Sequence, residues 1–248
     1  MARVYIHEFV DVIGTERARY QHHMTANWCP EAGPLRRQLC FGVFSVVGST
    51  GRWPQVVNLW EYTSWDDLAH NFGVELVGAG HRDPMLAEWW RRAAAFRTGG
   101  LDRILVAHDE SPGIEQWCSR GGTGAVAYVH EILHTPVGAA PSVCDELVGR
   151  GPDRRTTPGL ELVGAFRTAM RADDEVVVIW AVPDWDTWAR VEAATDADAT
   201  DAAVTDRPAS DGGRVLSRER ILLVDAELSP LRIGRQPVAE DRRSVDEF

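Results

Sequence analysis

Two stretches of the chain are near copies. VYIHEF runs from Val4 to Phe9 and AYVHEI from Ala127 to Ile132, which sets His7 and His130 123 positions apart. GVFS at Gly42 returns as GAFR at Gly164, an offset of 122. VVNLWEYTSWDDLA from Val56 returns as VVVIWAVPDWDTWA from Val176 at 120, and RILV at Arg103 returns as RILL at Arg220 at 117. Blocks repeated in the same order with slowly drifting spacing indicate an internal duplication. A repeat restricts the fold more than any motif does, because each copy must be one complete supersecondary unit. Each copy would be roughly 110 residues, the size of a small domain.

The two copies read alike. A β-rich run (3–12; 125–135) leads into a helical stretch, which in the first copy opens at Thr15, a residue type that caps helices. Strands through Gly42 or Gly164 and through Trp60 or Trp180 follow. Next comes a helix capped by Ser64, with Asp67 in capping-box spacing, or by Asp184 in the second copy. DPMLAEWWRRAAAF predicts a further strong helix in copy one, and RILV or RILL predicts the last strand. The order β-α-β-β-α-β is the ferredoxin-like arrangement. The expected class is α+β, with two tandem ferredoxin-like units whose sheets pack face to face into an intramolecular α+β barrel. The expected boundaries are 1–112 for the first unit, 113–124 for a linker, 125–231 for the second unit and 232–248 for a polar tail. Residues 192–213, rich in Ala, Asp and Thr, predict a weak helix or a mobile loop.

A formal net charge of −11 argues against nucleic acid and anionic membrane surfaces as partners. The four cysteines, Cys29, Cys40, Cys118 and Cys144, form no C-x-x-C pair and signal neither a zinc site nor a redox motif. With neither an apolar leader nor a run near the ~18 residues of a membrane span, the expected location is cytoplasmic, with reduced thiols.

VVNLWEYTSWDDLAHNF, followed by LAEWWRRAAAFR and RILV, resembles the NIPSNAP-like proteins. The VVN strand leading to an aromatic-acidic turn is similar to that of the cofactor-independent antibiotic-biosynthesis monooxygenases. Both groups belong to the dimeric α+β barrel superfamily, so the resemblance implies a barrel built from two such units, each able to hold a small ligand. It also implies that Asn58 and the aromatic residue four positions on, Tyr62, point into a cavity, with Trp60 beside them. Tyr62 stands where that family usually has Trp, and Leu68 where it has Tyr, which favours cyclisation, isomerisation or elimination over oxygenation.

Alternation along a strand puts Tyr5, His7 and Phe9 on one face, and Asn58, Trp60 and Tyr62 on one face of another strand. The expected site joins these sets. His7 and Tyr62 would be catalytic, His7 as general acid or base because imidazole titrates near neutrality. Tyr5, Asn58, Trp60, His130 and Trp180 would bind substrate. The structural alternatives carry weight: a strand histidine is commonly a hydrogen-bonded core residue, and Trp60 and Trp180 serve equally well as packing. Trp65 and Trp185 read as packing anchors at helix starts, Glu8 and Glu131 as partners in a surface or inter-sheet salt bridge, with buried acids as the alternative, and His22 and His23 as solvent-exposed. Copy two has Val178 and Val182 where copy one has Asn58 and Tyr62, and so reads as the degenerate half.

No cofactor is expected. The helix histidine that holds haem in some barrel relatives is replaced by a stretch containing Trp89 and Trp90. His130 and His134 share a strand face but would stand roughly 13 Å apart, too far for one metal. GRGPDRR (149–155) lacks phosphate-loop spacing. The reading is a cofactor-independent enzyme of secondary metabolism, such as antibiotic biosynthesis, acting on a phenolic or polyketide-like substrate by acid–base catalysis. A cofactor-free, quinone-forming monooxygenase and a non-catalytic ligand-binding or scaffold protein are the alternatives. The expected partner is a small-molecule substrate, with a homodimer as a further option.

Overall fold

The computed structural model describes residues 2–79, 81–149, 159–205, 214–244 and 247. Copy one runs β1 (Val4–Val12), α1 (Arg17–His22), a π-helical turn (His23–Trp28), α2 (Cys29–Arg36), β2 (Leu39–Val46), β3 (Gln55–Tyr62) and α3 (Trp65–Glu75). A two-residue hairpin, β4 (Leu76–Val77) and β5 (His81–Arg82), then leads to α4 (Pro84–Ala93) and β6 (Arg97–Ala107). After α5 (Ile114–Ser119), copy two runs β7 (Ala127–His134), α6 (Ala140–Leu147), β8 (Glu161–Thr168), β9 (Glu175–Val182), α7 (Trp185–Thr205) and β10 (Ser217–Asp225), and α8 (Pro230–Ile233) follows. The β-α-β-β-α-β order therefore occurs twice. The main strands hydrogen-bond in the order β1-β3-β2-β10-β7-β9-β8-β6 and close into an antiparallel barrel. No described helix is long and apolar enough to cross a membrane.

By their internal contacts the residues form two compact units. One comprises Met1–Ile104, Pro112–Gly124 and Leu223–Phe248; the other comprises Leu105–Ser111 and Ala125–Leu222. The 113–124 segment, expected as a linker, carries α5 and belongs to the first unit, as does the tail from 232. In the tail, Gln236 pairs with both the N–H and the carbonyl of Cys40, at 3.0 and 2.8 Å.

Local sequence explains three of the helix starts. Ser64 Oγ accepts from the Asp67 N–H at 3.2 Å to start α3, and Asp184 accepts from the Thr187 N–H at 2.7 Å to start α7. Asp83 caps α4 through the Leu86 N–H at 3.1 Å, with Pro84 at the first helical position, where a missing N–H costs nothing. Thr15 does not cap α1: the helix starts after Glu16, without a side-chain cap. Helix α7 runs through the first part of the acidic stretch to Thr205. Residues 206–213 of that stretch, and 150–155 of GRGPDRR, lie outside the described residues.

The repeated Gly-x-Phe has a steric cause. The β2–β3 register shifts between Cys40 and Gly42, and the β8–β9 register shifts between Leu162 and Gly164. At each bulge the following phenylalanine folds back over the glycine, so a Cβ at Gly42 would run into the Phe44 ring and one at Gly164 into the Phe166 ring.

In the first unit, one sheet face lies under the helices. Val4, Val10, Val56, Trp60 and Tyr62 pack there with Tyr20, Met24, Trp28, Leu68, Leu86 and Trp89. Burying each large side chain contributes about 1.5–3 kcal/mol. His22 and His23 were expected to be solvent-exposed but are buried in this layer, at 8% and 5% exposure. Trp65 and Trp185 are not buried anchors, being 44% and 48% exposed at the starts of α3 and α7.

Candidate functional site

Strand register decides which residues share the helix-covered face. β1 and β3 pair antiparallel with Glu8 opposite Asn58, Ile6 opposite Trp60 and Val4 opposite Tyr62. Directly opposed residues point to the same side. His7 is opposite Leu59 and Tyr5 is opposite Glu61, so both lie on the other face. The expected meeting of Tyr5 and His7 with Asn58, Trp60 and Tyr62 therefore does not occur. Within each strand the alternation is as expected; the phase between the two strands is the reverse.

Glu8 takes the place assigned to His7. Asn58 Nδ2 donates to Glu8 Oε2 at 2.9 Å, and Trp60 Nε1 donates to the same oxygen at 2.8 Å. Asn58 Nδ2 also donates to the Tyr20 hydroxyl at 3.0 Å, which brings in α1. Asn58 is completely buried, and its Oδ1 has no hydrogen-bond partner among the described residues. Glu8 itself is half-buried and forms no salt bridge among the described residues. Burial raises its pKa above the ordinary carboxylate value, and the nearby Asp102 raises it further; the two N–H donors and the charge of Arg97 oppose this. Burial, with the charge of Glu8, also raises the pKa of the Tyr20 phenol. Arg97 lies over the Trp90 ring, 4.0 Å from its centre.

Tyr62 shares this face but bonds elsewhere. Its hydroxyl accepts from Gln38 Nε2 at 2.9 Å, and Gln38 Oε1 accepts from Trp28 Nε1 at 3.0 Å. Burial and the charge of Glu8 hold its pKa above that of an ordinary phenol, so it stays protonated. Tyr5 donates to Glu61 Oε2 at 2.7 Å on the opposite face, and Glu61 also accepts from the Ile114 N–H at 2.9 Å, pinning the start of α5. His7 is buried, with its ring edge-on to Phe9 at 5.0 Å.

The second unit contains a parallel constellation with a different charge pattern. Trp180 Nε1 donates to Glu131 Oε2 at 3.1 Å, echoing Trp60 and Glu8. However, Val178 stands opposite Glu131 where Asn58 stands opposite Glu8. Glu131 is also neutralised by Arg220, whose Nε lies 2.7 Å from Oε1 and whose Nη1 pairs with Glu192 at 2.7 Å. His130 pairs across from Ile179, on the face away from Glu131 and Trp180. The first unit thus holds a half-buried, unbridged carboxylate beside a second acid, and the second unit holds an ion pair.

Sequence reasoning missed Glu8, Tyr20, Arg97 and Asp102 as a group. The recurring His-Glu next to a recurring tryptophan carried a signal, but the histidine drew it. Among the described residues, no three His, Cys, Asp or Glu side chains are grouped to hold a metal ion.

No protein-family profile and no curated protein matches the sequence. Solved structures do match. A Lactobacillus acidophilus NCFM protein described as a "putative monooxygenase" superimposes with a TM-score of 0.54 at 10% identity, over 91% of this chain and 95% of that one. A Fusobacterium nucleatum subsp. nucleatum ATCC 25586 protein, also described as a "putative monooxygenase", gives 0.55 at 9% identity, over 91% and 93%. An "anthrone oxidase-like protein" gives 0.53 at 12% identity, over 90% and 91%. At these identities the likeness concerns the fold: the chain has the α+β barrel fold, built from ferredoxin-like units, that these proteins share.

Proposed function

We propose that the chain is an enzyme of small-molecule metabolism that moves a proton at the helix-covered face of the first unit, with Glu8 as the acid–base group. The observation that carries this is the contrast between the two copies. Glu131 is bridged by an arginine; Glu8 receives only neutral N–H donors and sits beside Asp102. A carboxylate with a raised pKa is a better base for a carbon acid near neutral pH than an ordinary one. Asn58 Oδ1 is buried without a donor among the described residues, so on opening of this face to a ligand a phenol or enol hydroxyl would supply one. Ile6, Phe96 and Ile104 are partly buried and pack against the core that contains Trp60, an apolar neighbourhood that would suit a planar ring system.

The substrate class is therefore a phenolic or polyketide-like ring with an acidic C–H. Glu8 would take the proton, and the hydroxyl held by Asn58 would keep the resulting anion oriented. Two of the structural relatives are described as a "putative monooxygenase" and one as "anthrone oxidase-like", which favours reaction of that anion with oxygen. For an anthrone, the ring CH2 and one O2 become the quinone C=O and water. The same first step without oxygen would give elimination or cyclisation.

The test uses anthrone as substrate, an oxygen electrode and quinone absorbance. The expected result is one O2 consumed per quinone formed, with turnover lost in Glu8→Gln and kept in His7→Ala. Enolisation of anthrone to anthranol without oxygen uptake would keep Glu8 as the proton-transfer group and assign a non-oxidative branch. Full turnover in Glu8→Gln would overturn the assignment of Glu8.

A further inference from the structure

We propose that the C-terminal segment from Arg235 to Ser244 is a strap latched on His22, and that protonation of this imidazole releases it. The segment and the helices it meets belong to the first unit. Near its start, Gln236 is clamped to Cys40 on β2 through both main-chain groups. Near its end, the Arg243 N–H donates at 3.1 Å to Nε2 of His22, the last residue of α1.

The sequence explains why the strap docks there. Pro30 lacks the N–H that would bond the Ala26 carbonyl in an α-helix, and its ring crowds that carbonyl. The helix widens into the π-turn His23–Trp28 just before it. The Ala26 carbonyl accepts instead from Arg242 Nε at 3.2 Å, so the strap supplies a donor that the helix lacks. One residue on, the main-chain N–H of the strap needs an acceptor, and the imidazole at the end of α1 provides it. Arg242 also pairs with Glu31 at 2.6 Å and Arg243 with Glu227 at 2.5 Å, all through exposed side chains. Exposed pairs of this kind hold a segment weakly. Arg235 and Asp241 pair at 2.7 Å within the strap, which shapes it without anchoring it. The bond to His22 is of another kind, because that ring is only 8% exposed.

The chemistry of the ring makes the latch sensitive to acid. To accept at Nε2, the imidazole must be neutral with its proton on Nδ1. A proton on Nε2 turns the acceptor into a donor and sets it against the Arg243 N–H. Burial holds the His22 pKa below the ordinary imidazole value and the Arg243 guanidinium adds to this, while Glu227, Glu247 and Asp241 oppose it. His23, the next residue on the π-turn, repels a charged His22 when it is itself protonated. The latched form therefore binds the proton less tightly than the released form, whose ring titrates near the ordinary value of about 6.5. What the latch contributes is complete above that value and is lost as pH falls towards the latched-state pKa.

The test is hydrogen exchange at the Arg243 amide of the full chain, followed by NMR from about pH 7.5 to about pH 4.5, a range that spans imidazole titration, and corrected for the intrinsic pH dependence of exchange. It reads no turnover, so its outcome is independent of the role given to Glu8. Protection should fall about threefold to tenfold across the range, the worth of one neutral hydrogen bond. The ring nitrogen shifts of His22 at pH 7.5 should report the neutral form with the proton on Nδ1. His22→Gln carries a carbonyl oxygen that can stand near the place of Nε2 and does not titrate, so protection should stay high throughout. It keeps His23 and the carboxylates of the strap, so a fall in this variant would belong to them. His22→Ala should show the low protection already at pH 7.5. Slow exchange in β3 confirms that each chain is folded at each pH. A flat profile in the unchanged chain, a proton on Nε2 at pH 7.5, undiminished protection in His22→Ala, or an equal fall in His22→Gln would each overturn the proposal.

Discussion

Replacing Glu8 with glutamine should sharply reduce turnover while stabilising the fold at neutral and alkaline pH. Both donors to Glu8 converge on Oε2. A glutamine carbonyl oxygen in that place can accept from Asn58 and Trp60 alike, keeping two neutral hydrogen bonds worth about 0.5–1.5 kcal/mol each. What disappears is the cost of keeping a charge out of water beside Asp102. Burial and that neighbour raise the folded-state pKa of Glu8 above its unfolded value. The folded chain therefore binds the proton more tightly than the unfolded one. The stability this contributes is complete below the unfolded glutamate pKa and is lost as pH rises through the folded value. Glutamine never ionises, so Glu8→Gln should melt above the unchanged chain at about pH 8, and the difference should shrink towards about pH 4, near the ordinary glutamate pKa. Each 1 kcal/mol is worth roughly 2–4 °C in a chain of this size. Turnover should fall about 10²–10⁴-fold, the usual contribution of a general acid or base. Differential scanning calorimetry across that pH range, with turnover per folded molecule, gives both readouts. A Glu8→Gln protein that melts lower at pH 8, or a Tm difference that ignores pH, would refute the burial argument.

The same substitution in the second unit should act in the opposite direction: Glu131→Gln removes one partner of Arg220 and should cost about 1–3 kcal/mol, seen as a lower Tm, without reducing turnover. Gly42→Ala should force the Phe44 ring off the β-bulge, at a cost of about 1–3 kcal/mol in urea unfolding; an unchanged midpoint would show that the ring can give way. His7→Ala should lower stability by about 2–4 kcal/mol by opening a cavity beside Phe9, yet leave turnover per folded molecule unchanged, because His7 is on the face away from Asn58.

The duplication was fully legible in the sequence, and with it the twofold β-α-β-β-α-β order, because repeated blocks specify elements without reference to their packing. The caps at Ser64 and Asp184 were legible for the same reason: a cap bonds an N–H three residues away, and its chemistry is local. The recurring Gly-x-Phe was visible as a repeat, although its cause, a phenyl ring folded over a bulge, appeared only in three dimensions. Thr15 shows the limit of local reading: the chain turns helical two residues later, after Glu16, without a side-chain cap.

The candidate site was half legible. Asn58, Trp60 and Tyr62 were placed on one face of their strand by its period of two, and they do share it. Whether that face also carried His7 or Glu8 depended on the register between β1 and β3, and a one-residue slip exchanges one set for the other. Sequence alternation gives the phase within a strand and none between strands. The hydrogen-bonded pairing of Glu8 with Asn58 settled that phase, and only the folded sheet contains it. The arginine that bridges Glu131, the tyrosine that α1 brings to Asn58 and the tail arginine that reaches Ala26 are likewise contacts between residues far apart in the chain, and tertiary packing alone selects them.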